Sequence, residues 1–330
     1  MAKKDKYAII FSERGLKRYI KCACNFEVEN GYLYSYRYSN EQIERFFRPE
    51  GDSFWAVRTK YSSGVRIEII TTSTEISFDY ACDSYTSEHN SFDLYVNNVL
   101  TEVHKICEHK EHRCEFKLCE GKKRVTIYLP CDTRVGIKYF CIDGTFDEAQ
   151  NGENVLLIGD SISQGYGPML SGAAYVNALM RKTGLYILNQ SVGGYRFEPD
   201  DLMRVEGFEP AKIIVELGTN YHEKGLDYDY KKACRGFFAR LTELYGTQIP
   251  IAVITPLNRI DDIDRKRFAW CIDLIKRECE KYENITVIDG FTLFPPVKEC
   301  FLDCVHPNAY GSELLASNLA RAFKKLGFSD

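Results

Sequence analysis

Up to about residue 146, apolar and polar positions mostly alternate with a period of two. Phe54 to Arg58, Val65 to Thr71, Glu75 to Tyr80, Phe92 to Val96, Cys114 to Leu118, Arg124 to Leu129 and Gly136 to Ile142 are short runs rich in β-branched and aromatic residues. Turn-like stretches such as Ser62-Ser63-Gly64 and Glu120-Gly121-Lys122 separate them, which predicts strands of an antiparallel β-sandwich resembling a jelly roll. From Asn154 the grammar changes. Val155 to Ile158, Tyr186 to Asn189, Ile213 to Leu217, Ile251 to Thr255 and Thr286 to Ile288 are apolar or nearly so, as strands covered on both faces must be. Between them, Ala173 to Lys182, Tyr228 to Leu244, Arg265 to Lys281 and Gly311 to Lys324 repeat apolar residues at three and four, the helical period. This alternation predicts an α/β domain with a parallel sheet between helices. The polar stretch Asp143 to Gly152 marks the boundary, so residues 1–146 and 147–330 are expected to form two domains.

Composition narrows the function. Of 330 residues, 45% are hydrophobic and 27% charged, which excludes a disordered or fibrous chain. A formal net charge of -4 argues against a nucleic-acid partner held by a basic field. No apolar stretch reaches the roughly 18 residues that span a bilayer, so no membrane partner is expected. The thirteen cysteines are spread along the whole chain, and the apolar run in Met1 to Phe11 is too short for a signal-peptide core. Reduced thiols in a cytoplasm are therefore expected rather than a disulfide framework.

Candidate chemistry lies at the strand ends. Val155-Leu156-Leu157-Ile158 runs directly into Gly159-Asp160-Ser161-Ile162-Ser163, which puts Ser161 where parallel sheets bind ligands. A base is available in Asp303-Cys304-Val305-His306-Pro307: an aspartate three residues before a histidine can accept the Nδ1 proton and leave Nε2 to activate a serine. Donors for an oxyanion follow the second and third strands, in Asn189-Gln190-Ser191-Val192-Gly193-Gly194 and Gly218-Thr219-Asn220. Each element alone is commonly a turn; their order at successive strand ends points to acyl transfer.

Residues 154–330 resemble the SGNH/GDSL hydrolases in four blocks: Gly159-Asp160-Ser161-Ile162, the glycine of Asn189 to Gly194, Gly218-Thr219-Asn220, and Asp303-x-x-His306. The resemblance implies a flavodoxin-like α/β/α sandwich with Ser161 as nucleophile, His306 as general base and acid, and Asp303 orienting His306. It also implies an oxyanion hole made by Ser161 N–H, Gly194 N–H and the Asn220 side chain, and no metal or organic cofactor. Ile162 stands where leucine is usual and Ser191 where a glycine is common. The doublet Gly193-Gly194 leaves the oxyanion glycine open, with Gly194 favoured by its distance from Asn189. Ser91-Phe92-Asp93-Leu94-Tyr95 resembles the G-x-D-L-Y signature of β domains preceding some of these hydrolases. The whole chain is thus similar to two-domain bacterial carbohydrate acetylesterases, which implies O-acetyl removal from an oligosaccharide or small-molecule ester. Thioesterase or lysophospholipase activity, and a non-catalytic carbohydrate-binding protein, are the alternatives, and homo-oligomerisation is left open.

Tyr166, Tyr195, Tyr221 and His222 follow motif positions and are candidates to line a substrate pocket. Asn258-Arg259 follows the fourth strand, and Arg259 reads as an exposed helix-start residue. His104, Cys107, His109, His112 and Cys114 crowd together, but their spacing fits no standard zinc finger, so no metal site is expected. Cys300 and Cys304 are likewise not diagnostic, and Cys271 and Cys279 fall at the spacing of core thiols.

Overall fold

A computed structural model describes residues 9–47, 53–85, 91–106, 112–221 and 229–329. They group into two compact units, one of residues 1–37, 60–150 and 170–172, the other of 38–59, 151–169 and 173–330.

The first unit is a sandwich of two antiparallel sheets. One has the order Asn25–Glu29, Tyr32–Tyr36, Thr133–Ile142, Glu75–Tyr85, His112–Lys117, with Ile9–Ile10 also on Thr133–Ile142. The other has the order Phe146–Glu148, Arg66–Thr71, Lys123–Tyr128, Ser91–Val96, Val99–Lys105, with Ile20–Lys21 on Arg66–Thr71. Their inner faces meet in one core that includes Ile67, Ile69, Phe92, Leu94 and Ile127 from one sheet and Phe78, Phe116, Val135 and Ile137 from the other. Burying each of these side chains is worth about 1.5–3 kcal/mol, and that is what fixes the alternating register. Two hairpins escaped the sequence reading. Asn30-Gly31 and Asn97-Asn98 both take positive φ at consecutive positions, the two-residue turn that matches strand twist. Asp93, fully buried, accepts the Ser91 hydroxyl at 2.6 Å and the Gly172 N–H at 2.6 Å, so the Ser91 to Tyr95 motif anchors residues 170–172. Gly172 has to be a glycine, because a Cβ there would lie 2.5 Å from the Tyr95 ring.

The second unit holds a five-stranded parallel sheet. Numbered along the chain, its strands are Asn154–Gly159, Tyr186–Ser191, Lys212–Glu216, Ile251–Ile254 and Ile285–Ile288, and they lie in the order 2-1-3-4-5. That is the flavodoxin-like order, and its crevice lies beyond the carboxyl ends of the strands on either side of the first. Helices Tyr175–Thr183, Tyr230–Tyr245, Arg265–Cys279 and Ala309–Lys325 accompany the sheet, each within a few residues of its predicted range.

One predicted strand is a helix. Ser53–Thr59 is α-helical, and its buried residues Trp55, Ala56, Arg58 and Thr59 follow the three-and-four spacing; five residues are too few to separate that period from two. With the helix Asn40–Phe46 it packs in the second unit, so residues 38–59 fold with the parallel sheet although the sequence reading grouped them with the first domain. The reason is side-chain chemistry: Tyr38 OH donates to Gln190 O at 2.8 Å, and the Gln42 and Gln190 amides exchange two hydrogen bonds. The Ser39-x-x-Gln42 capping box was the overlooked signal for that helix.

Candidate active site

The turn after the first parallel strand is built to expose one serine. Asp160 caps the short helix Ser161–Gln164, its Oδ1 accepting Ile162 N–H at 3.0 Å. A Cβ on Gly159 would sit 2.7 Å from Ser163 and 2.8 Å from Ser191 Oγ, so only glycine allows the strand to turn this sharply. Ser161 Oγ lies 2.8 Å from His306 Nε2, and His306 Nδ1 lies 2.8 Å from Asp303 Oδ2. Asp303 Oδ1 accepts two backbone N–H groups, from Val305 at 2.6 Å and His306 at 2.7 Å. Burial opposes the Asp303 charge. The imidazole and the two backbone donors outweigh it and hold this carboxyl well below its ordinary range. A lowered carboxyl gives its full anchoring at neutral pH and loses it only as the medium becomes strongly acid.

Gly167 brings the two loops together. Its φ is +124°, and a Cβ would lie 2.3 Å from Pro307 O and 3.2 Å from His306 Cβ. Gly167→Ala is therefore expected to push His306 off Ser161 and lower turnover about a hundredfold with the fold retained. Gly207→Ala, where φ is also positive at +72° and no atom lies within 4 Å of the new Cβ, adds no clash and should turn over normally. Circular dichroism and ester turnover on both variants check this; equal losses would contradict it.

The donor loops differ in what they leave free. Gly193 N–H donates to Gln164 Oε1 at 2.7 Å, whereas Gly194 has φ +78° and no hydrogen bond from its N–H among the described residues. The Asn220 amide donates to Tyr195 O at 3.0 Å and reaches Asp160 Oδ2 at 3.4 Å, a long contact that a better acceptor can replace. Arg259 is buried rather than exposed, because its guanidinium pairs with Asp261 and donates to Thr219 O at 3.1 Å, which ties down the loop that carries Asn220.

The tyrosines separate. Tyr166 packs edge-on against the His306 ring with centroids 4.6 Å apart. Tyr195 and Tyr221 are each 3% exposed and lie in the core rather than on an open wall. Tyr195 meets Trp55, and the Tyr221 ring stacks on Phe197 while its OH accepts Phe197 N–H. His222 lies outside the described residues, as do Cys107 and His109. The remainder of that cluster makes other contacts: His104 meets Tyr80 OH at 3.0 Å, and Cys114 is buried. Among the described residues no three His, Cys, Asp or Glu side chains converge as a metal site.

Sequence reasoning missed an aromatic wall beside the Gly193-Gly194 loop. A Cβ on Gly194 would lie 3.4 Å from Trp55 Nε1 and 3.5 Å from the Phe54 ring. Phe54 is 48% exposed, with the Arg58 guanidinium 3.2 Å from its ring centroid. It also missed Glu216, although a single carboxylate in the run Ile213-Ile214-Val215-Glu216-Leu217 is a readable anomaly in a buried strand.

Residues 157–314 match the GDSL-like Lipase/Acylhydrolase family. This part of the chain is a GDSL-like lipase/acylhydrolase domain, a carboxylic ester hydrolase by type. No curated protein matches the chain by sequence. Among solved structures it is similar to a salicylyl-acyltransferase from a tetracycline biosynthetic pathway, at 18% identity and TM-score 0.76 over 93% of this chain and 94% of that one. It is also similar to an acetyl xylan esterase of the rumen bacterium Butyrivibrio proteoclasticus, at 16% identity and TM-score 0.65 over 98% and 99%. A third is a family two carbohydrate esterase from Clostridium thermocellum in complex with cellohexaose, at 16% identity and TM-score 0.66 over 81% and 94%. At such identities the likeness is one of fold. No described helix is long and apolar enough to cross a membrane.

Proposed function

We propose that the protein removes small acyl groups, foremost O-acetyl, from a carbohydrate through a covalent intermediate on Ser161. The observation that carries this reading is the unbroken relay of 2.8 Å contacts from Ser161 Oγ through His306 to Asp303. Ser161 attacks the ester carbonyl while His306 Nε2 takes its proton, and the C–O bond to the leaving alcohol breaks as the same proton is returned to it. Water then repeats the sequence and releases the acid. Asp303 stabilises the imidazolium formed in each half. Ser161 N–H, Gly194 N–H and the Asn220 amide receive the oxyanion, and the engagement of Gly193 N–H by Gln164 favours Gly194 over its neighbour.

Two observations support an acetylated sugar. Trp55 and Phe54 stand beside Gly194 and bound the space on that side, which favours a short acyl chain, and the exposed Phe54 ring offers an apolar face of the kind on which a sugar packs. The similar folds named for acetyl xylan and carbohydrate esterases support the same substrate class. No disulfide joins the twelve described cysteines, which favours a cytoplasmic oligosaccharide over extracellular polymer. A nitrophenyl ester series tests the acyl preference: kcat/KM is expected to be highest for acetate and to fall with each added carbon pair. Activity rising toward octanoate would overturn it. Acetate release from acetylated xylan, mannan and short oligosaccharides then identifies the sugar.

A further inference from the structure

Beneath the site lies a pair of buried acids that the reaction as described does not use. Glu216, 1% exposed, ends the third parallel strand, and Asp160, fully buried, follows the first. Ser163 Oγ donates to Glu216 Oε2 at 2.7 Å and lies 2.6 Å from Tyr175 OH. The other oxygen, Oε1, is sealed from solvent and receives no N–H or O–H donor among the described residues. Across the parallel ladder Glu216 is paired with Gly159, so Asp160, the next residue, lies beside it, and the two buried carboxyls interact. Two carboxylates can only accept, and two anions touching in a dry site repel, so the contact requires a proton between them. The other groups that face the pair are Tyr175 from the helix Tyr175–Thr183, His306 from the loop before the last helix, and Arg259 after the fourth strand. Burial, then the Asp160 charge, raises Glu216 well above the ordinary carboxyl range. Burial raises Asp160 too, but the Ile162 N–H and the nearby His306 and Arg259 favour its anion, so Glu216 is the partner that carries the proton.

We propose that Glu216 is a positioning residue for ester hydrolysis: as the neutral acid it donates to Asp160, so that Asp160 caps the Ser161 turn yet holds Asn220 only loosely. The inference rests on the roles given above to Ser161 and Asn220. Its logic is competition for one amide. An Asp160 carboxylate without the Glu216 proton would attract Asn220 Nδ2, now 3.4 Å away, and withhold that donor from the oxyanion.

The test measures kcat and KM for nitrophenyl acetate on the full chain, from about pH 6 to pH 10, in wild type, Glu216→Leu, Glu216→Gln, Asn220→Ala, Ser161→Ala and Glu216→Leu with Asn220→Ala. Glu216→Leu should lower kcat about ten- to a hundredfold with KM unchanged, and should cost little more on top of Asn220→Ala, because both act through one donor. Gln can accept from Ser163 and donate to Asp160, so Glu216→Gln should restore most of the lost turnover. A raised acid keeps its proton below its own pKa and loses it as pH rises. Wild type should therefore lose turnover at the alkaline end, and Glu216→Gln, which has no proton to lose, should not. An inactive Ser161→Ala alongside Glu216→Leu at wild-type kcat overturns this inference alone. So does a folded Glu216→Gln that keeps the alkaline loss, or full additivity with Asn220→Ala. An active Ser161→Ala overturns the nucleophile reading, and this inference with it.

Discussion

Ser161→Ala is expected to reduce ester hydrolysis by about a millionfold, to a residue set by binding and the oxyanion donors alone, without unfolding the protein. The hydroxyl is replaceable structurally: among the described residues its contact is His306 Nε2 at 2.8 Å, and the turn around it is held instead by Asp160, Gly159 and Gly165. The variant should therefore keep the wild-type circular dichroism spectrum and thermal midpoint while losing the reaction. Hydrolysis at more than a few per cent of wild type would remove Ser161 from the mechanism.

Asp303→Asn is the second large effect, and its direction follows from the way the carboxylate is held. Asp303 Oδ1 is committed to the backbone N–H groups of Val305 and His306, at 2.6 and 2.7 Å. An asparagine there must keep its carbonyl oxygen on those two donors, which turns its NH2 toward His306 Nδ1. Two donors cannot face each other, so Nδ1 gives up its proton and Nε2 takes it, the tautomer that cannot accept from Ser161. A loss in kcat of about three to four orders of magnitude is expected, with KM and stability little changed. Retention of activity within about tenfold would show that Asp303 neither orients nor stabilises the imidazole.

That the motif residues would meet was legible because they follow successive parallel strands, and a parallel sheet places those strand ends together. Ser161, His306 and Asp303 are brought into contact although the chain separates Ser161 from His306 by 145 positions. The parallel strands and the central strands of the sandwich were legible for the same physical reason, since burial on one face gives a period of two and burial on both gives a continuous apolar run, whereas Asn25–Glu29, Tyr32–Tyr36 and Val99–Lys105 were not read. Residues 38–59 were not legible either. Phe54 to Arg58 is too short to display its period, and what draws it to the parallel sheet is aromatic and amide contact, Trp55 with Tyr195 and Gln42 with Gln190, that no hydropathy pattern records. Tyr195 and Tyr221 read as pocket residues because tyrosine suits both a wet wall and a core; contacts made elsewhere in the chain, by Trp55 and by Phe197 N–H, decide for the core. Glu216 stood in plain view, but an acid in an apolar strand takes on meaning only beside the Asp160 that faces it.

The phosphonate adduct tests the central claim most directly. Wild-type protein and Ser161→Ala are treated with a small alkyl fluorophosphonate, and each is measured by intact mass and by peptide mapping. One adduct per chain is expected, on Ser161, with hydrolysis lost in proportion to labelling and no adduct on the variant. Full loss of activity with the adduct on another residue, or an unlabelled wild type that still turns over ester, would contradict the account.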